Sequence, residues 1–567
     1  MNELTLLGDE AVALGALHAG VSASYGYPGT PSTEIMERLI GEYDVGGPLA
    51  AWCANEKTAM EAALGVSFAG RRSLVTMKHV GLNVAADAFV NGALLGIKGG
   101  LVLAVADDPG MHSSQNEQDS RLYASFALTP CMEPRNQQEA YDMTREAFDL
   151  SERLAVPVIL RLVTRLSHSR ANVLVAASRA QNPLSKATDK SEWMLLPAYA
   201  RRRYDLLLAK QADFAAWSVS HPANRLELEG RDLSFAVITT GLGGNYYEEN
   251  IADFGLSRGA TGLPARLHIG VYPIPVDSIR KLCSQAKRVL VIEEGMPVVE
   301  EKLRGILEQK LVINGKFDGF LPRAGELDPD NVRKALGLPP RPSMEAKIPA
   351  LPTRPPQLCK GCPHGDSYEI IKRAVEGKAS VAITADIGCY ALGALPPYGV
   401  PETIVCMGAS VNMAKGASDA GIQYVIGVIG DSTFIHSGMT PLVDAVAANT
   451  PMTLVILDNS IVAMTGCQDT LVPSSQLVPL LTGLGVKPEH IVLLEAKKPN
   501  FDANLEAFRK EIEYRGLSVV IFRRECIEAF KARQKKAAAK ARGAASCEDV
   551  SDISAPGTVF VKTGGHS

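Results

Sequence analysis

Asp431 and Asn459 form a pair of oxygen donors set at the ends of two apolar runs. The first run, Tyr424 to Ile429, breaks at Gly430-Asp431-Ser432; a segment of helical spacing leads to the second, Met452 to Leu457, which stops at Asp458-Asn459. This alternation predicts two parallel strands joined by a helical crossover, with both carboxyl ends opening into one crevice. A carboxylate and a carboxamide placed there suit Mg²⁺, which takes one or two carboxylates in near-octahedral geometry and fills its shell with phosphate oxygens and water. The ligand these residues imply is a diphosphate. A strand-end turn and an Asn-capped loop would use the same residues without a metal.

Other polar residues also follow predicted strands. Tyr27-Pro28-Gly29-Thr30-Pro31-Ser32 comes after the strand Ala23 to Tyr27, and its Pro and Gly force a turn. Thr30 and Ser32 are thereby presented at a helix N-terminus, where backbone N–H groups bind anions; Ser32 would serve equally as a plain cap. Glu56 enters the first turn of a helix of small residues, Thr58 to Gly65, where the helix dipole alone favours a carboxylate. Lys78, His79 and Asn83 follow the strand Ser73 to Met77, and Asp107 to Asn116, including His112, follows the strand Leu101 to Ala106. Both segments fall where open parallel sheets hold ligands, which makes His79 and Asn83 candidate neighbours of a cofactor or substrate. Hydrogen-bonded loops would carry the same residues. Cys359-Lys360-Gly361-Cys362-Pro363-His364 precedes a helix, and a lone C-x-x-C fits a shaped loop better than a zinc site. The turns Asp386-Ile387-Gly388-Cys389-Tyr390 and Met407-Gly408-Ala409-Ser410 carry glycines that let backbone approach a ligand closely.

Gly430-Asp431-Ser432, twenty-six residues and then Asn459 resembles the diphosphate-binding motif of thiamine-diphosphate enzymes. The extensions His436-Ser437-Gly438 and Ala463-Met464-Thr465-Gly466 narrow the likeness. Over nearly its whole length the chain resembles the large subunits of indolepyruvate:ferredoxin oxidoreductases, in the family of thiamine-diphosphate-dependent 2-oxoacid:acceptor oxidoreductases. The resemblance implies Mg²⁺ held by Asp431, Asn459 and the Ile461 carbonyl. It implies cofactor contacts from Glu56, His79, Asn83, Cys362, His364, Gly388, Cys389, Gly408, Ser410, Gly430, Ser432, Met464 and Thr465 as well. Glu56 matches the carboxylate that protonates N1′ of the aminopyrimidine so that C2 of the thiazolium loses its proton. Thr30 matches a residue that touches the substrate carboxylate, and His364 an acid/base or positioning residue. Cys467 departs from the pattern, standing where relatives commonly carry histidine.

The elements that must position these residues read as a multidomain α/β protein. Its doubly wound parallel sheets are of the pyrimidine and diphosphate type, and the resemblance adds a transketolase C-terminal-like α/β domain. Residues 1–178 form the pyrimidine-binding domain, 179–232 a connector, 233–337 the transketolase-like domain, and 338–357 a proline-rich linker. Residues 358–529 form the diphosphate domain and 530–567 a basic, partly disordered tail. Gly241-Leu242-Gly243-Gly244 lacks a full dinucleotide fingerprint and an acidic partner, so it reads as a tight strand-to-helix turn.

A net charge of −4 gives no case for nucleic acid or an anionic membrane. The most apolar early stretch, Gly92 to Ala106, is broken by Lys98 and too short to span a bilayer, which predicts a cytoplasmic protein. The ten cysteines are scattered, with only Cys359 and Cys362 close in sequence. The sequence therefore predicts thiamine diphosphate and Mg²⁺ but no iron–sulfur cluster in this chain. The resemblance implies oxidative decarboxylation of an aryl pyruvate to the acyl-coenzyme A. It also implies a smaller companion subunit, a separate iron–sulfur or flavin partner docked in part by Phe530 to Arg542, and a homo-oligomer. The alternatives are a non-oxidative thiamine-diphosphate decarboxylase or carboligase, and a non-catalytic assembly subunit.

Overall fold

A computed structural model describes residues 2–43, 48–185, 190–258, 262–306, 310–341, 357–404, 406–419 and 421–535. Most of the linker and of the basic tail therefore lies outside the described residues, although the chain is helical from 527 to 535. The chain divides into two compact units, Met1–Thr353 and Arg354–Ser567.

The first unit is built on a seven-stranded sheet in the order Val271–Tyr272, Cys131–Met132, Val158–Val163, Leu101–Asp107, Ser73–Lys78, Ala23–Gly26, Leu49–Trp52. All neighbours are parallel except the first pair. Strands Leu101–Asp107 and Val158–Val163 are buried at every residue, which is why their sequences are apolar apart from Asp107 and Arg161, two charges that pair with each other. From Ala23–Gly26 the chain moves outward to Leu49–Trp52 and then back past itself to Ser73–Lys78. The switch point, where open sheets hold ligands, thus lies between the loops after Gly26 and Lys78.

Two features were not foreseen. Asn2–Leu7 pairs antiparallel with Arg170–Val175 as a separate ribbon. The segment assigned to the transketolase-like domain is also joined to the pyrimidine sheet, because Val271–Tyr272 forms its edge strand. A second, five-stranded sheet runs Val312–Asn314, Arg288–Ile292, Asp232–Thr240, Pro264–Ile269, Arg225–Glu227. A buried ionic network ties the two sheets together. Arg161 donates to Asp107 at 2.6 Å and Glu133 at 2.5 Å, while Arg121 donates to Asp119 at 2.5 Å and to Glu293 at 3.2 Å. Tyr272 donates to Glu133 at 2.6 Å. Charges this deeply buried are tolerated only when each has its partner. The proposed connector folds as two helices, Pro197–Ala209 and Gln211–Ser220.

The second unit holds a six-stranded, wholly parallel sheet in the order Thr403–Ile404, Val381–Ala385, Tyr424–Gly430, Met452–Asp458, Leu517–Arg523, Ile491–Glu495. The chain leaves Val381–Ala385 toward one edge and returns to Tyr424–Gly430 on the other side. Its switch point falls between Asp386 and Asp431. Among the described residues no helix is long and apolar enough to cross a membrane.

Candidate active site

In the second unit, the parallel pairing of Tyr424–Gly430 with Met452–Asp458 sets Asp431 beside the loop carrying Asn459. Asp431 is buried, and its carboxylate accepts the Ser432 N–H at 2.9 Å and the Ser460 N–H at 2.8 Å, so it bridges the two strand ends. Ser460 has φ 66°, a left-handed turn between Asn459 and Ile461 that redirects the backbone just where a carbonyl ligand is expected. Asn459 Oδ1 accepts the Ile461 N–H at 3.1 Å. Burial, and next the neighbouring Asp458 carboxylate, push Asp431 up to about 7. Asp458 is itself paired with Arg523 at 2.7 Å. The buried hydroxyl of Ser432 has no hydrogen-bond partner among the described residues. A buried carboxylate beside an orphaned hydroxyl offers oxygen donors of the kind that a cation and a phosphate take.

His364, at the start of helix Pro363–Val375, reaches this loop: the Asn459 amide Nδ2 donates to its Nε2 at 3.4 Å. Burial pushes His364 down to about 4, so the ring is neutral. Because the amide NH₂ can only donate, Nε2 is the bare nitrogen and Nδ1 carries the proton.

Gly388 and Gly430 lie under one ring, for a Cβ would meet Tyr390 Cε1 at 2.3 Å on the first and 2.7 Å on the second. The Tyr390 hydroxyl donates to Asp386, whose other oxygen accepts the Ser410 hydroxyl at 2.5 Å and its N–H at 3.2 Å. The structure thus turns Ser410 toward Asp386 as an anchor of the loop. Gly408 has φ 85°, and a Cβ there would stand 2.4 Å from the Ser437 carbonyl, so only glycine fits. Thr433 donates to the Ile387 carbonyl at 3.1 Å, lacing the loops on either side of the switch point. Met464 and Thr465 sit at the turn joining Ile461–Val462 to Gln468–Asp469; Thr465 donates to Gln468 at 2.6 Å and Met464 is exposed. Asp386 and Tyr390 are positioning residues that carried no signal of their own in the sequence.

The sheet order brings several of the dispersed cysteines into the neighbourhood of this loop. Burial pushes Cys389 up to about 12, and smaller contributions come from the nearby thiols of Cys362, Cys526, Cys359 and Cys467. Cys362 is pushed up to about 11 by burial, with Cys359 and Cys526 again adding to it. Cys526 lies against the site directly, its N–H donating to the Asn459 carbonyl at 3.3 Å. Among the described residues, the one group of three or more His, Cys, Asp or Glu ligand atoms lying within 4.8 Å of one another contains no cysteine.

In the first unit, Thr30, Lys78 and His79 meet at the switch point, with the Lys78 side chain 3.3 Å from where a Gly29 Cβ would stand. Glu56 begins helix Glu56–Phe68, capped by Asn55, which accepts the Thr58 N–H at 3.0 Å. The Glu56 carboxylate is buried against Gly81, where a Cβ would meet its Oε1 at 2.5 Å. Burial pushes Lys78 down to about 8 against the pull of Asp108 and Glu56. Lys78 donates to the Ser113 carbonyl at 3.0 Å, and the Ser113 hydroxyl to the Thr30 carbonyl at 3.0 Å. His79 is lowered by burial and by Lys78; its Nε2 bonds the Asn116 carbonyl at 3.2 Å, which leaves Nδ1 buried and bare. Asn83 accepts from Tyr123. His112 is not part of this group, since it pairs with Glu326 at 3.1 Å.

Residues 14–225 match the family model described as pyruvate flavodoxin/ferredoxin oxidoreductase, thiamine diphosphate-binding. Residues 386–543 match the thiamine pyrophosphate enzyme, C-terminal binding domain. Similar proteins include the indolepyruvate oxidoreductase subunit IorA of Methanothermobacter thermautotrophicus, 37% identical over 93% of this chain and 87% of that one. The IorA of Archaeoglobus fulgidus is 38% identical over 92% of this chain and 86% of its own. A ketoisovalerate oxidoreductase subunit VorB of M. thermautotrophicus is 27% identical over 27% of this chain and 45% of its own.

Proposed function

The chain belongs to the family of indolepyruvate oxidoreductase IorA subunits, and from that premise we propose that it is the thiamine-diphosphate-binding catalytic subunit of a 2-oxoacid oxidoreductase acting on an aryl pyruvate. The observation that carries this reading is the meeting of Asp431, Asn459 and the left-handed Ser460 turn at the sheet's switch point. When bound, thiamine diphosphate supplies the carbon nucleophile for the keto group and accepts the electrons left by departing CO₂.

The chain's own residues do the rest. Asp431, Asn459 and the Ile461 carbonyl hold Mg²⁺ and through it the diphosphate; the tight turns at Gly388, Gly408 and Gly430 let backbone close on it. Glu56 holds the proton at N1′ of the aminopyrimidine. Lys78, poised between its charged and neutral forms, and Thr30 orient the oxoacid carboxylate. Neutral His364 fixes the Asn459 amide. The electrons leave to a partner iron–sulfur or flavin subunit, since the cysteines of this chain are dispersed. A companion subunit completes the complex, and coenzyme A takes the acyl group.

Calorimetry tests the assignment. Thiamine diphosphate should bind the chain only when Mg²⁺ is present, and Asp431→Ala should abolish that binding, because Asp431 is the one formal negative charge offered to the metal. Unchanged affinity in the variant would refute it.

A further inference from the structure

We propose that Asp9, Glu34 and His168 form a second metal site in the first unit, one that takes a zinc-like divalent ion and is separate from the cofactor's Mg²⁺. Each residue offers one ligand atom, and the three atoms lie within 4.8 Å of one another. They arrive from three elements: Asp9 from helix Gly8–His18, Glu34 from helix Thr33–Tyr43, and His168 from the turn that ends Thr164–Ser167. Gly8 makes the approach possible, since any Cβ there would stand 2.3 Å from the Leu166 carbonyl.

The second observation is a set of orphaned atoms. Asp9 is fully buried, and among the described residues neither of its carboxylate oxygens meets a donor in good hydrogen-bond geometry, although the Ser167 hydroxyl and the Glu34 carboxylate lie close by. The buried Oε2 of Glu34 and the Ser167 hydroxyl are orphaned too. A buried carboxylate without a well-placed donor is costly and rare. Helix capping does not account for Asp9, because Glu10 already accepts the Leu7 N–H at 2.8 Å. Asp108, whose charge also acts on His168, is engaged by Thr164, Ser113 and Ser114.

The donor set selects the ion. Two carboxylates and one imidazole balance a double positive charge, and a nitrogen donor favours zinc and its neighbours over Mg²⁺ or Ca²⁺, which prefer oxygen throughout. Tetrahedral ligand bonds of about 2.1 Å set ligand atoms about 3.4 Å apart. His168 Nε2 and Glu34 Oε1 are 3.5 Å apart. Such an ion would clamp the helix that follows the Thr30 loop to the first helix, and so hold that loop in place.

The test is zinc content, measured by difference because the thiols and the Mg²⁺ site also bind metals. Full-length protein, loaded with Zn²⁺ and dialysed, should retain about one equivalent more than Asp9→Asn or His168→Gln. A chelator should lower the melting temperature of the wild type more than that of either variant. His168 is partly exposed, so its variant keeps the test valid if Asp9→Asn does not fold. Equal zinc in all three proteins would overturn the proposal. So would an Asp9→Asn variant more stable than wild type with unchanged zinc, which would mean that Asp9 and Glu34 share a proton instead.

Discussion

Gly81→Ala should separate stability from activity. Gly81 lies in helix His79–Leu94, and a Cβ at that position would meet Glu56 Oε1 at 2.5 Å, Cγ at 2.7 Å and Cδ at 2.8 Å, where ordinary contact begins at 3.4 Å. The obstacle is the end of a flexible side chain, so the fold absorbs the methyl while the carboxylate moves by roughly 0.9 Å. Alanine is the better helix residue by up to about 1 kcal/mol, so melting should be unchanged or slightly raised. A displacement near 1 Å of a group that must act at one atom costs about a hundredfold in rate, or about 2.7 kcal/mol of barrier. Proton–deuteron exchange at C2 of bound thiamine diphosphate, quenched and read by NMR, should therefore slow by about that factor while cofactor affinity is largely kept. Exchange at the wild-type rate in a well-folded variant would refute the placement of Glu56 as the activating carboxylate.

Mg²⁺ affinity should fall as pH drops below about 7, by about tenfold per unit, because burial and Asp458 raise the Asp431 carboxyl to about 7 and a proton then competes with the metal; calorimetry across pH 5.5 to 8 checks this, and a flat profile would contradict it. The sign for stability is the reverse: with no metal bound, this raised group's contribution is fully present below 3.8 and lost as pH rises through about 7. Arg161→Ala should cost about 3–5 kcal/mol in urea melts, since it strands the buried carboxylates of Asp107 and Glu133; a loss under about 1 kcal/mol would show the network to be dispensable. Anaerobically purified chain should contain no stoichiometric iron or acid-labile sulfide, and a cluster found in it would overturn the assignment of the electron acceptor to a partner subunit.

What could be read from the sequence was local. Each strand end and the turn after it are neighbours in sequence, so the pairing that sets Asp431 beside Asn459 and the entry of Glu56 into a helix were visible from apolar runs and turn residues alone. What depends on strand order was not. The Tyr390 ring over both Gly388 and Gly430, and Ser410 turned onto Asp386, exist because Val381–Ala385 lies beside Tyr424–Gly430 in the sheet. The same ordering lays the Cys526 N–H against the Asn459 carbonyl although the two are far apart in sequence. The edge pairing of Val271–Tyr272 with Cys131–Met132 likewise joins two segments that the sequence pattern and the resemblance place in separate domains. His112 had a loop position as favourable as that of His79, and only packing sends it to Glu326.

The central claim is oxidative decarboxylation by a thiamine-diphosphate site in this chain. It is tested most directly by anaerobic turnover of the complex isolated with its companion subunit, given indolepyruvate, thiamine diphosphate, Mg²⁺ and a low-potential dye, with and without coenzyme A. The account predicts dye reduction that requires coenzyme A, yields the acyl-coenzyme A and disappears in Glu56→Gln. Release of CO₂ and the free aldehyde with no dye reduced would contradict it and identify a non-oxidative decarboxylase.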